Sequence, residues 1–285
     1  MKTGNASDRV TSVPGELHYL APGWSVLRRF TAPGASINTG TYESHTVPIG
    51  NGRPMQGSFR LDTHGFEIVP HRSAVQDFTD RAEVDSLYIP EVIEFVKERT
   101  GADEVVSRGA VLRRSAAAAD NASQPQAALV HIDYGPEGAA MTGARVYAEQ
   151  VPGGPGYRRV LASSVWRVFS PPPQDWPLAL CDFRSVRKDE GLPNQLYFVD
   201  RIPEDPFAHV DQSRMVTSGS EFYYSPEHRW WYFPDMNRDE VLFFVFHDSD
   251  HSRPWRVVHS AFRDPTVETE VPRHSIEVRT FAFFH

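Results

Sequence analysis

From residue 127 to its end, this chain is a succession of strand-sized runs separated by Pro and Gly turns. ALVHIDY (128–134), RRVLASSVWRVFS (158–170), EVLFFVFHDS (240–249), RVVHSAF (256–262) and HSIEVRTFAFF (274–284) are rich in β-branched and aromatic residues, the types that suit a pleated, half-buried surface. The 19 glycines and 23 prolines disfavour a helical bundle and favour short strands joined by turns. Residues 17–70 also read as short strands. Within them, VPIGNGRPM (47–55) has the pattern of a hairpin, with Gly50, Asn51 and Gly52 supplying positive φ. One strong helix is expected over 80–101. Asp85 or Ser86 would cap it, Val92, Ile93 and Val96 form its apolar stripe, and Gly101 ends it. A long all-β run after one helix predicts a mainly-β chain: a jelly-roll barrel with a few flanking helices and a site in its mouth. Residues 1–16 read as a flexible tail and 17–285 as one domain, with 115–126 (SAAAADNASQPQ) as a flexible loop.

A chain of 285 residues buries a sizeable core without disulfide staples. The formal net charge of −8 repels a phosphate backbone on average, so nucleic acid is not an expected partner. The single cysteine, Cys181, cannot form an internal disulfide and suits a reducing compartment; it reads as a buried thiol. The longest apolar runs, such as VLFFVF (241–246), are strand-sized rather than membrane-sized. The first residues lack the basic start and apolar stretch of a signal peptide. A cytoplasmic protein acting on a small molecule, without membrane or nucleic-acid partners, is the expectation.

His131 and Asp133 form an H-x-D pair inside a strand. Side chains at i and i+2 point to one face, about 7 Å apart along the backbone, so an imidazole and a carboxylate can converge on one ion. Two histidines and one carboxylate on one face of an octahedral ion leave three positions open. Non-heme Fe(II) oxygenases use this arrangement. The second histidine is expected at His259, in RVVHSAF. Alone, H-x-D is a short pattern, and a strand histidine is commonly a satisfied core residue.

The last strand adds a second signal. Arg273, Ser275, Glu277 and Arg279 face one way, while Ile276 and Val278 face the other. A bland reading puts the charged face in water. The sharper one puts Arg273 and Ser275 at the barrel wall, where a planar guanidinium fork and a hydroxyl bind a carboxylate. Arg279 could do the same work, but Glu277 is placed to neutralise it.

VWRVFSPPPQDWPLALCDFRSV (165–186), HRWWYFPDMNRDEVLFFVFHDS (228–249), HSAFRDP (259–265) and PRHSIEVR (272–279) resemble the CmcJ/AsaB family of hydroxylases and desaturases, which includes a cephalosporin 7α-hydroxylase subunit and a gibberellin desaturase. The resemblance covers roughly residues 17–284. It implies a double-stranded β-helix (cupin-like) fold and oxidative tailoring of a small metabolite with Fe(II), 2-oxoglutarate and O2. It implies further that His131, Asp133 and His259 are the iron ligands and that Arg273 and Ser275 bind oxoglutarate. Arg167, in the VWR motif, is a further co-substrate candidate. Tyr134, Arg184, Trp231 and Tyr232 are candidates for the substrate pocket. Ser164, Val245 and His247 stand where the family usually has Asn, Lys and Tyr.

Two rival readings accompany the dioxygenase. In one, the iron site works without 2-oxoglutarate, as in oxidative cyclisation. In the other, the barrel is a non-catalytic subunit of a two-component system. A homodimer or a partner enzyme stays open. The cluster His247-Asp248-Ser249-Asp250-His251 is read as a solvated loop rather than a second metal site.

Overall fold

The computed structural model describes residues 11–115, 124, 126–268 and 271–285. In chain order the strands are β1 (Ser12–Leu20), β2 (Leu27–Ala32), β3 (Ala35–Asn38), β4 (Tyr42–Asn51), β5 (Phe66–Pro70), β6 (Glu104–Arg114), β7 (His131–Ile132), β8 (Arg159–Val168), β9 (Leu178–Cys181), β10 (Leu192–Phe198), β11 (Thr217–Glu221), β12 (Trp230–Tyr232), β13 (Glu240–Asp248), β14 (His259–Ala261) and β15 (His274–Phe284). The helices are α1 (Leu61–His64), α2 (Arg81–Glu83), α3 (Ile89–Thr100) and α4 (Pro136–Gln150), with a π-helical turn, Val84–Tyr88, joining α2 to α3.

The strands form two sheets. The larger has the order β1-β4-β12-β9-β14-β7-β11-β10-β2-β3, and the smaller β5-β13-β8-β15-β6. Leu178 and Leu180 of β9 pack in one core cluster with Phe244 and Phe246 of β13 and Ile276 and Phe281 of β15. The layers therefore close on each other as a jelly roll, as the strand pattern predicts. All of β13 except its first residue is buried. Its inner face carries Phe244 and Phe246, both against His259. Its outer face carries Phe243, which meets Phe95 of α3 edge-to-face at 5.4 Å. Apolar side chains on successive positions are what a strand covered on both faces requires.

The structure departs from the expectations at several points. Strand β1 begins at Ser12, so residues 12–16 are paired with β4 rather than part of a loose tail; residues 1–10 lie outside the described residues, as does most of 115–126. Gly50 and Gly52 do not have positive φ, and β4 runs straight through Asn51 instead of turning back as a hairpin. Asp80, not Asp85 or Ser86, caps the helical run, accepting from the backbone N–H groups of Ala82 and Glu83. Gly101 ends it in the left-handed conformation.

The largest departure is α4, which follows Asp133 directly in a region expected to be all β. Its Pro136 stands in the first turn, where a missing N–H costs nothing and the fixed φ suits the helix. Gly138 lets α4 lie against β11: a Cβ there would stand 2.1 Å from Ser218 O.

Candidate metal centre

His131 and His259 come from neighbouring strands of the larger sheet and are direct partners in the antiparallel β7–β14 pair. Each Nδ1 faces the carbonyl of the residue two positions earlier: His131 Nδ1 lies 2.6 Å from Leu129 O, and His259 Nδ1 lies 3.0 Å from Val257 O. A carbonyl only accepts, so both Nδ1 atoms carry the proton and both Nε2 lone pairs are left for another partner. Those Nε2 atoms turn toward Asp133. Its Oδ2 is 3.2 Å from His259 Nε2 and 3.8 Å from His131 Nε2. The three ligand atoms lie within 4.8 Å of one another, the one such group among the described residues. Holding the second ring nitrogen on a backbone acceptor is how metal-binding histidines are oriented.

Electrostatics keep His131 and Asp133 in the protonation states a cation needs. Burial, and after it the neighbouring His259 imidazole, pulls His131 down to about 4. Burial alone would push Asp133 up. The Arg279 guanidinium overrides it and holds the carboxyl well below the usual carboxylate range. Arg279 Nη2 lies 2.7 Å from Asp133 Oδ1.

The three side chains open on a cavity of about 20 Å³, whose wall also includes Trp166, Phe244, Arg273 and Glu277. Arg273 is 1% exposed. Its Nη1 donates to Trp176 O at 2.8 Å, and its guanidinium lies 5.4 Å from the centroid of the Trp166 ring. Its Nε and the Ser275 Oγ have no hydrogen-bond partner. Burial, then the nearby Arg113, pulls Arg273 down to about 9, so it is still a cation at neutral pH. A buried cation with an idle donor, beside an idle hydroxyl, has the chemistry of a site for an anion. The charged face of β15 thus points into the barrel, not into water.

The structure separates the remaining candidates by strand parity. Trp166 faces the cavity, so Arg167, next to it, faces away. Arg167 is spent on Tyr88 Oη, at 3.1 Å, and on the carbonyls of His71 and Arg238, which corrects its assignment to the co-substrate. Trp231 shares the inner face: it pairs with Leu180, which pairs in turn with His259. Tyr232 therefore faces outward, donating to Asp264 Oδ2 at 3.0 Å. Arg184 pairs with Asp182, away from the cavity. Neither lines the cavity, so both are corrected as pocket residues. Tyr134 is buried between Phe246 and Phe281. His247 and Asp248 are buried rather than solvated, with Asp248 forked onto Arg159. His228 bonds Tyr19 and Glu190 on the opposite face of the sheet. Burial pushes the Cys181 thiol up to about 12, which rules it out as a nucleophile at neutral pH.

Two groups were not assigned by sequence reasoning. Arg279 grips Asp133, and Trp166 underlies Arg273. The alternation along β15 signals the first, since Arg279 shares a face with Arg273. The second follows from its cross-strand partner in β15, Glu277.

A family model described as "Oxidoreductase/YMDC permease-like domain" matches residues 17–283. Among the described residues, no helix is long and apolar enough to cross a membrane. The chain is 31% identical over 263 residues to the Fe(II)/2-oxoglutarate-dependent dioxygenase nvfI of Aspergillus novofumigatus, spanning 88% of this chain and 87% of that one. It is 34% identical over 262 residues to the hydroxylase/desaturase CTB9 of Cercospora beticola, spanning 85% and 78%. Among solved structures, it superposes on the iron and α-ketoglutarate-dependent endoperoxidase NvfI with a TM-score of 0.80 at 27% identity, covering 96% of this chain and 98% of that one.

Proposed function

This chain belongs to the oxidoreductase family of CmcJ/AsaB-type hydroxylases and desaturases, and from that premise we propose that His131, Asp133 and His259 hold the Fe(II) of a 2-oxoglutarate-dependent dioxygenase acting on a small specialised metabolite. The observation that carries the reading is the convergence of two Nε2 lone pairs and one carboxylate oxygen, within 4.8 Å, on one point of a closed barrel. That donor set, two imidazoles and one carboxylate, fits ferrous iron with three positions to spare.

Bound iron would supply the oxidising power, using 2-oxoglutarate and O2 to remove hydrogen from a substrate C–H bond. The protein's own residues bind and orient. Arg273 and Ser275 take the far carboxylate of 2-oxoglutarate with the donors that have no other partner. Trp166 holds the guanidinium plane from below. Trp231, in the same row as Leu180 and His259, forms the substrate wall, and Tyr134 closes the core behind Asp133. The buried, unpaired charge of Arg273 favours dependence on 2-oxoglutarate over an iron site that works without it. A cavity of about 20 Å³ holds little more than one water. Admission of a five-carbon dicarboxylate therefore moves side chains of the wall. The site draws on both sheets, which supports reading 17–285 as one catalytic unit.

The test is anaerobic reconstitution with Fe(II) and 2-oxoglutarate, followed by exposure to O2. Iron bound one per chain, and succinate released only when 2-oxoglutarate, Fe(II) and O2 are all present, are expected. Wild-type protein that takes up no iron, or a His131→Ala variant that releases succinate at the wild-type rate, overturns the assignment.

A further inference from the structure

Asp133 divides its two oxygens between opposite layers of the barrel. Oδ2 faces the two imidazoles of the larger sheet, while Oδ1 meets Arg279 Nη2 of the smaller sheet at 2.7 Å. Arg279 is itself held from behind. Its Nε and Nη2 donate to Glu277 Oε2 at 3.2 and 3.1 Å. Glu277 Oε1 accepts from Ser164 Oγ at 2.9 Å. Ser164 is fully buried and Glu277 is 5% exposed. The strand register builds this line: Glu277 and Arg279 share a face of β15, and Ser164 of β8 is the cross-strand partner of Arg279. A fork anchored by a buried carboxylate has little freedom to release the oxygen it grips.

An octahedral ion held by two imidazoles and one carboxylate oxygen keeps three positions. A 2-oxo acid chelate takes two of them and leaves one for O2. A carboxylate that bound through both oxygens would consume that last position. Resting on the iron reading above, we propose that Arg279, anchored by Glu277 and Ser164, is a positioning residue that withholds Oδ1 of Asp133 from the metal and so keeps the dioxygen position free. The device lies on the opposite sheet from the ligands. It is thus independent of how the ligands themselves are spaced.

Two measurements test this without relying on turnover. The first is a crystal structure of the wild-type protein loaded with Co(II). Asp133 is expected to bind through Oδ2 alone, with Oδ1 still on Arg279; coordination through both oxygens overturns the proposal whatever any variant does. The second is anaerobic titration of Fe(II)- and 2-oxoglutarate-loaded protein with nitric oxide, a dioxygen surrogate, read by electron paramagnetic resonance. Arg279→Gln is expected to retain Fe(II) but to lose affinity for nitric oxide by about tenfold or more. Arg279→Lys, which keeps a cation on Oδ1, is expected to recover most of it. Nitric oxide uptake by Arg279→Gln equal to wild type overturns the proposal. If that variant does not fold, the cobalt structure decides alone. Wild-type protein that binds no Fe(II) would instead sink the iron reading, so the two failures are distinct.

Discussion

His131 and His259 face each other directly across an antiparallel strand pair, with ring centroids 4.4 Å apart. Backbone pairing, not side-chain flexibility, fixes their separation, so the two donors are in place before any ion arrives. Preorganisation of this kind spares the binding step much of its ordering cost.

The first prediction concerns metal and stability together. A divalent ion at about 100 times its dissociation constant stabilises the fold by about 2.7 kcal/mol. Fe(II) or Mn(II) should therefore raise the melting temperature of the wild-type protein, and a chelator should reverse the rise. His131→Ala, His259→Ala and Asp133→Ala should show no rise. Without metal, Asp133→Ala should be the least stable of the three, by about 1–3 kcal/mol, because it removes the carboxylate that faces Arg279. Equal melting points for all three apo variants would contradict the Asp133–Arg279 ion pair.

The second concerns the co-substrate. Arg273→Ala removes a charge-assisted hydrogen bond of about 1.5–3 kcal/mol, which corresponds to roughly 10- to 150-fold in affinity. The apparent KM for 2-oxoglutarate should rise by that factor, with a smaller rise in Ser275→Ala. Arg167→Gln should leave this KM near wild type, because its guanidinium serves Tyr88, His71 and Arg238. Steady-state succinate assays separate these outcomes.

The third uses two glycines of α4. At Gly143 a Cβ would sit 3.4 Å from Val160 Cγ2, whereas at Gly138 it would strike Ser218 backbone atoms at 2.1 and 2.4 Å. Gly143→Ala should stabilise by up to about 1 kcal/mol through helix propensity. Gly138→Ala should destabilise by about 1–3 kcal/mol or more and weaken metal binding, since α4 leads directly from Asp133. Urea denaturation with metal titration checks both signs.

The fourth is acid sensitivity. His247 is 4% exposed, its Nδ1 has no partner, and burial, then His251, pulls it down to about 4. Because the unfolded chain binds the proton more readily, this group's contribution is fully present above about pH 6.5 and is lost as the pH falls toward 4. Its full size is on the order of 3 kcal/mol. His131 is lowered for the same reason and acts in the same window. His247→Leu should therefore flatten, without abolishing, the loss of stability between pH 6.5 and 4, as read by denaturation at a series of pH values.

Much of the site was legible because strand periodicity is two. Alternation alone puts His131 with Asp133, and Arg273 with Ser275, Glu277 and Arg279. The meeting of His131 with His259 was not legible from spacing. It depends on which strands become neighbours; His259 was chosen because it too lies in a strand-like run, and the family resemblance agreed. Alternation also explains two misplacements. Arg167 cannot share the face of Trp166, nor Tyr232 the face of Trp231, so each pair had to be split. The helix α4 was missed because Gly135-Pro136 reads as a turn and Gly138 and Gly143 weaken the helical pattern. Their role is close approach to neighbouring strands, and the sequence holds no record of those neighbours. The outward Asp85 and Ser86 lost the capping role to Asp80, whose side chain reaches the first free N–H groups.

His131 and His259 stand on strands of one sheet with Asp133 just past the end of β7, while Arg279 stands on β15 of the other sheet and Arg273 immediately before it. Catalytic competence is therefore a property of the seam between the two layers. A slip of one layer against the other by the width of an atom would leave each half intact and the enzyme inert. Heat, pressure or a bulky substitution at the seam should silence this protein well before it unravels it.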